Sequence, residues 1–421
     1  MTDTTRRDFL RRSGAGAAAL GLGGFLLAAC GDDEAGSGSA ADGPIKIGLL
    51  NALSGPLSIT EKSMLQGSQL AVEQINAAGG IGGRKLEAIV EDYASDFTVA
   101  VQKAQKLLQR DKVAIVVGGY TSASRVALIP TFQKAGKLLF YGTYYEGLEC
   151  DTDTFYAGAV PNQFLLDYVP WITKNLGTSI YVVGSDYVYP QTVSAIVKKI
   201  APATGGKVVA DRYFQLGTTE FGSVISDIKA KKPDVVLSNL VGDSTPAFYK
   251  QYRAAGLTAK SLPIAATVTT EVEVAAMSPA DAVGHYQTAT YFQSLDNPAN
   301  EAFVAAFRKR FGAKAVTHMP LVGNYNAVHL FAEAVRRSGG DTSTDALRKA
   351  LVGATFAESP EGQPATLAAN HHLSHPSYVG RTDADGQFEI VATFQPRDAD
   401  PYPAEVVPAS KRPQCPTPFK G

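Results

Sequence analysis

Histidine, methionine and cysteine are all scarce in this sequence: six, four and three residues among 421. Three of the histidines form the one close group, His371, His372 and His375 in "HHLSH". A zinc site there would have to recruit further ligands from elsewhere, so the run reads as a polar hairpin loop and no metal is expected. Catalytic signatures are missing too. There is no G-x-S-x-G elbow, no G-x-x-x-x-G-K phosphate loop, no H-E-x-x-H helix, and no cysteine beside a candidate base. "GAGAAA" (Gly14 to Ala19) imitates a dinucleotide fingerprint, but no strand precedes it, and no cofactor is expected. Runs of Lys and Arg are absent from the body and the net charge is −1, which removes the electrostatic footprint of a nucleic-acid binder. A small neutral or polar partner fits better.

What is present is ordinary globular material, 45% hydrophobic and 19% charged, enough for two domains. The first thirty residues are set apart from it. "TRRDFLRR" (Thr5 to Arg12) places paired arginines before an apolar stretch from Gly14 to Leu27, and "LAAC" closes it at Cys30. That stretch, roughly 14 residues, falls short of the ~20 that span a bilayer. The order of features is that of a twin-arginine export signal ending in a lipoprotein box, with lipid attached to Cys30 after cleavage. "GDDEAGSGSAADG" (Gly31 to Gly43) then reads as a flexible tether. The expected location is outside the cell membrane, lipid-anchored to its outer face. The other two cysteines, Cys150 and Cys415, are a candidate disulfide in such an oxidising setting.

From Pro44 onward apolar runs alternate with helical patterns. "IKIGLLNAL" reads as a strand; a helix follows over 61–77, where Leu65, Ser68, Val72 and Ile75 share a face, and it stops at "AGGIGG". Strands "KLEAIVED", "VAIVVGG" and "KLLFYGT" continue the alternation, which predicts a parallel sheet covered by helices. After "FYAGAVPNQ" the pattern restarts with strands "SIYVVGSD", "VVADRYFQL", "DVVLSNLVG" and "PIAATVT". Later helices and a hairpin turning at "DADGQ" complete the chain. The fold class is therefore α/β with two Rossmann-like lobes. We place the first lobe at 44–160 plus about 290–340, the second at 161–289 plus about 341–400, and a tail at 401–421.

In open parallel sheets ligands bind at the C-terminal strand ends. Four polar loops fall there: "GGYTSAS" (Gly118 to Ser124), "YGTYYEG" (Tyr141 to Gly147), "GSDYVYP" (Gly184 to Pro190) and "VGDST" (Val241 to Thr245). Glycines admit close backbone approach, hydroxyls donate and accept, and tyrosines supply flat walls with a polar tip. Each residue has a plainer role beside the ligand role. Ser122 or Ser124 serves as a helix cap, Thr143 as a turn residue, Tyr187 and Tyr189 as hinge-facing core, and Asp186 and Asp243 as helix-start acids.

Together "LSGPLSITEKSMLQGSQLAVEQINAAGGIGGRKLEAIVEDYASD", "GGYTSASR", "YYEGLEC", "VPNQ", "GSDYVYP", "GDSTPAFYKQYRAAGL", "NHHLSHP" and "DADGQFEIV" resemble the urea-binding proteins of ABC transporters and the related short-chain amide receptors. Both are type I periplasmic binding proteins of the branched-chain amino acid class. The resemblance spans about Pro44 to Pro403. It implies two lobes joined by three hinge crossovers, closing over urea or a small amide and presenting it to ABC permease subunits. First-lobe contacts implied are Tyr120, Thr121, Ser122, Tyr141, Gly142 and Thr143; second-lobe contacts are Tyr187, Tyr189, Asp186 and Asp243, with Gly242 nearby. One departure is "LVGNY" (Leu321 to Tyr325), where those relatives carry a carboxylate.

Urea offers four N–H donors and one carbonyl, so its site must be rich in acceptors and supply a donor, for which the helix start behind Ser122 is suited. An amino acid would need an anion site and a cation partner, with Asp186 or Asp243 available to an ammonium. Receptors for short-chain amides or branched-chain amino acids therefore stand as alternatives. An amidohydrolase, revealed by ammonia release, is the enzyme alternative, and a sensor docking on a membrane receptor is the third.

Overall fold

The computed structural model describes residues 43–417. The export signal, Cys30 and nearly all of the tether lie outside the described residues. The first sheet is built from β1 (Ile45–Asn51), β2 (Leu86–Asp92), β3 (Ile115–Gly118), β4 (Leu138–Tyr141) and β5 (Thr154–Tyr156), parallel throughout in the order β2-β1-β3-β4-β5. Between them run α1 (Ser58–Ala77), α2 (Phe97–Gln105) and α3 (Ser122–Ala135). β3 and β4 are buried on both faces, as strands sandwiched between helix layers must be, which is why they read as unbroken apolar runs. Helix α1 starts at Ser58, a turn before the expected 61, and buries Met64, Leu65, Ser68, Ala71, Val72 and Ile75. "FYAGAVPNQ", expected as a connection, opens instead with β5.

The second lobe contains α4 (Pro161–Asn175), β6 (Ser179–Ser185), α5 (Val188–Ile200), β7 (Lys207–Phe214), α6 (Gly222–Lys231), β8 (Val235–Asn239), α7 (Ser244–Ala254), β9 (Ile264–Ala266), α8 (Glu271–Ala275), α9 (Pro279–Ala282) and β10 (Tyr286–Ala289). The chain then returns to the first lobe with α10 (Pro298–Phe311), α11 (Met319–Arg337), α12 (Thr344–Leu351) and the short pair β11 (Thr355–Phe356) and β12 (Ala365–Thr366). It ends in the second lobe with the hairpin β13 (His375–Thr382) and β14 (Phe388–Arg397). The second sheet has the order β14-β13-β10-β9-β8-β6-β7, in which only β13 runs antiparallel to its neighbours. Asp383 makes the hairpin turn by accepting from the N–H groups of Asp385 and Gln387 at 2.9 and 2.8 Å.

The chain thus crosses between sheets three times, after β5, after β10 and before β13. The expected division at residue 340 needs moving. Helix α12 packs on α11, Arg348 pairs with Asp153 at 2.6 Å, and Tyr156 bridges to His372, so 341–372 sits with the first sheet. The cause is the hydrophobic face of α12, which buries Leu347 and Leu351 against that side.

The histidine run is spent on packing at the third crossover. His371 stacks on Phe155 (4.0 Å between ring centroids), and His372 lies against Tyr156 (4.4 Å) and hydrogen-bonds the Tyr145 hydroxyl at 2.7 Å. Burial pushes both rings down, to about 4 and about 3, so they stay neutral. His375 pairs with Glu361 at 3.0 Å. Cys150 and Cys415 form a disulfide, with Cα atoms 5.5 Å apart.

Candidate functional site

The loops after β3, β4, β6 and β8 come together where the two lobes touch. The Tyr144 ring of the first lobe lies 5.5 Å from that of Tyr189 in the second. The Thr60 hydroxyl donates to Glu273 at 2.5 Å, and the Asp243 N–H donates to the Pro56 carbonyl at 3.1 Å.

On the first-lobe side Thr121 caps α3, its hydroxyl accepting from the Ser124 N–H at 3.1 Å. Its hydroxyl therefore serves as the cap of the helix, the role expected of Ser122 or Ser124. Ser122 occupies the first helical position. Its hydroxyl donates to Glu146 at 2.5 Å and accepts from Arg125 at 3.0 Å. Arg125 is completely buried, paired with Glu146 and Glu149 at 2.9 Å each, and its guanidinium covers the Tyr145 ring at 4.4 Å. Burial disfavours its charge, but Glu149 and Glu146 outweigh that and hold the group above its ordinary value. One cation faces two carboxylates here. The corner is net negative.

Tyr141 donates its hydroxyl to the Tyr120 carbonyl at 2.5 Å and so braces the loop, its oxygen remaining an acceptor. Gly142 lies against α11: a Cβ there would sit 2.1 Å from Asn324 Oδ1, and one on Gly323 would sit 1.9 Å from the Gly142 carbonyl oxygen. Beyond it, the hydroxyls of Tyr120, Thr143 and Tyr144 are buried without a hydrogen-bond partner. Tyr120 is flanked by Tyr144, Thr60 and Glu273. Glu61, also buried, accepts from the Ala52 N–H at 2.8 Å, and burial, partly offset by Tyr93, pushes its carboxyl up to about 8.

Across the seam, Tyr189 donates to Thr267 at 3.0 Å and Thr267 donates to Asn239 Oδ1 at 2.6 Å, which leaves the Asn239 amide nitrogen buried and unpartnered. Tyr187 starts α5, half-buried beside Tyr189 with ring centroids 6.4 Å apart. Two of the expected residues are exposed. Asp186 is exposed and accepts from Gln191 at 2.6 Å, because the backbone turns it away as β6 hands over to α5. Asp243 is an exposed residue at the seam, where burial raises its carboxyl and nearby Lys62 counters.

Sequence reasoning left out Tyr144, Glu146, Asn239, Thr267, Thr60 and Glu273. The first two stood inside a quoted loop and Asn239 ends β8. Thr60 and Glu273 meet only through tertiary folding and carry no local signal.

Ser63 and His318 form a buried hydroxyl–imidazole pair at 2.6 Å, but His318 Nδ1 has no partner and burial holds the ring down at about 3. No carboxylate orients it as a base requires. A groove of about 760 Å³ between α1, α10 and α11 is walled by Phe303, Tyr325 and Phe356, on the far side of α11 from Gly142.

The profile of the family described as "Periplasmic binding protein domain" matches residues 45–407. Leu/Ile/Val-binding protein homolog 7 of Brucella abortus is 25% identical over 377 residues, 83% of this chain and 92% of that protein. The leucine-, isoleucine-, valine-, threonine- and alanine-binding protein of Pseudomonas aeruginosa is 25% identical over 339 residues, 77% and 86% of the two chains. A solute-binding protein of an ABC transporter from R. palustris, solved with benzoate, superposes with a TM-score of 0.77 at 26% identity, covering 85% of this chain and 98% of that one. These relatives bind solutes and are not enzymes. The chain belongs to the periplasmic binding protein family, among the ABC-transporter solute-binding proteins of the Leu/Ile/Val-binding class.

Proposed function

We propose that the chain captures a small neutral amide, urea foremost, between its lobes and delivers it to ABC permease subunits, held at the outer membrane face by lipid on Cys30. The observation that carries the ligand class is Glu146. Its carboxylate occupies the Ser122 hydroxyl at the start of α3, where the carboxylate of an amino acid or a benzoate would otherwise be received. A second anion there would face like-charge repulsion in a dry site. Arg125 offers no relief, being already shared by two carboxylates. The unpartnered groups described above, the hydroxyls of Tyr120, Thr143 and Tyr144 and the Asn239 amide N–H₂, are all neutral. They suit a solute with several N–H donors and one carbonyl. Among the described residues no helix is long and apolar enough to cross a membrane.

The test is calorimetric titration with urea, acetamide, formamide, leucine and benzoate. Urea or an amide is expected to bind. Binding of leucine alone would sink the proposal in favour of the amino-acid reading that the named relatives support, with Glu146 as the ammonium partner. Thr143→Ala should weaken the bound amide by about 1–3 kcal/mol, the worth of a buried hydrogen bond left unmade. The ligand-free stability should hold or rise, since the hydroxyl lacks a partner there. A variant of wild-type affinity removes Thr143 from the site.

A further inference from the structure

The loop that carries Thr143, Tyr144 and Glu146 has no helix or strand of its own between Tyr141 and Cys150, so its place is set by what grips it. Arg125 grips it from within through Glu146 and Glu149. The C-terminal tail grips it from the other side. After β14 ends at Arg397, the Asp398 and Ala399 carbonyls accept from the side chains of Asn162 and Asn370, each at 2.8 Å. The Pro401 carbonyl accepts from the Leu148 N–H at 2.8 Å, and the Cys150 carbonyl accepts from the Thr417 N–H at 2.7 Å. The Cys150–Cys415 bond then closes a separation of 265 residues.

Within 401–417 only Pro401 and Pro403 are buried. Apolar adhesion of the tail is accordingly small, and the few hydrogen bonds are worth on the order of 1 kcal/mol each. Beyond Val406, whose carbonyl accepts from Lys199 at 2.5 Å, the covalent bond fastens the far end of the tail to the loop.

We infer that the tail, fastened by Cys150–Cys415, is a positioning element for the ligand loop: it fixes where Thr143 and Glu146 stand, so ligand retention depends on a bond that lies beyond the site. The inference rests on the cleft assigned above. It predicts a local effect where a staple that merely stabilised the fold would act on both lobes alike.

The test compares hydrogen exchange of the ligand-free protein in three forms: oxidised wild type, Cys415→Ser, and folded wild type treated with dithiothreitol, which takes the disulfide to two thiols. Exchange over 142–151, the Leu148 amide included, is expected to rise about tenfold or more while β6 and β8 keep their protection. Urea or acetamide should dissociate about tenfold faster with little change in association rate. Unchanged protection over 142–149 overturns the inference, and so does a uniform rise across both sheets. The dithiothreitol arm decides the matter if Cys415→Ser fails to fold. A wild type that binds neither solute fells the ligand reading, while the exchange comparison still judges the tail.

Discussion

Arg125→Met is expected to lower stability by about 3–5 kcal/mol, the cost of stripping a buried ion pair of one partner. The side chain is wholly buried and is the shared counter-charge of two carboxylates that have little access to water. Methionine fills much of the volume, so the loss is chiefly electrostatic. Urea denaturation of the variant beside wild type checks this, with guanidinium chloride in its place if urea proves to be the ligand. A loss below about 1 kcal/mol would mean that Arg125 is not the cluster's counter-charge.

Gly242→Ala is expected to separate ligand binding from folding. Gly242 has φ +62°, and a Cβ there would lie 2.2 Å from the Pro56 carbonyl oxygen of the opposite lobe. The left-handed backbone alone costs an alanine about 1–2 kcal/mol. The clash exists only while the lobes are together, so it taxes the closed state and pushes the equilibrium toward the open one. Affinity should fall about 10- to 100-fold, corresponding to roughly 1.4–2.8 kcal/mol of closure free energy. Titration with the amide found to bind measures the loss of affinity, and thermal unfolding without ligand measures the backbone cost. Wild-type affinity in a destabilised variant would place the defect in the fold and not in closure.

Both experiments probe features of unequal legibility. The alternation of apolar runs and helical patterns yields the two sheets because buried parallel strands leave a strong local imprint. β5 escaped because three residues give no periodicity to read. The division near 340 slipped because α12 chooses its lobe by which face its leucines meet, a tertiary matter. At the site, Tyr120, Thr143, Tyr187 and Tyr189 are legible as strand-end residues. Thr121 and Tyr141 are legible too, but their hydroxyls serve backbone partners. Sequence shows that a hydroxyl is present and not whether the fold has already used it. Asp186 shows the same limit for direction: adjacent residues leaving a strand point opposite ways, and a one-residue difference decides between solvent and cleft.

The face-to-face contact of Gly142 with Gly323 bears on how this receptor can change its taste. Neither position admits even a methyl group without shifting a helix. Enlarging, shrinking or recharging the pocket from that flank would require α11 to retreat, a change too large for single substitutions. Asn239, Thr267 and Tyr187, borne on a sheet edge and a helix start, carry no such restriction. Diversification to new solutes, in nature or in a library, is therefore channelled through the second lobe, with the first serving as a fixed template.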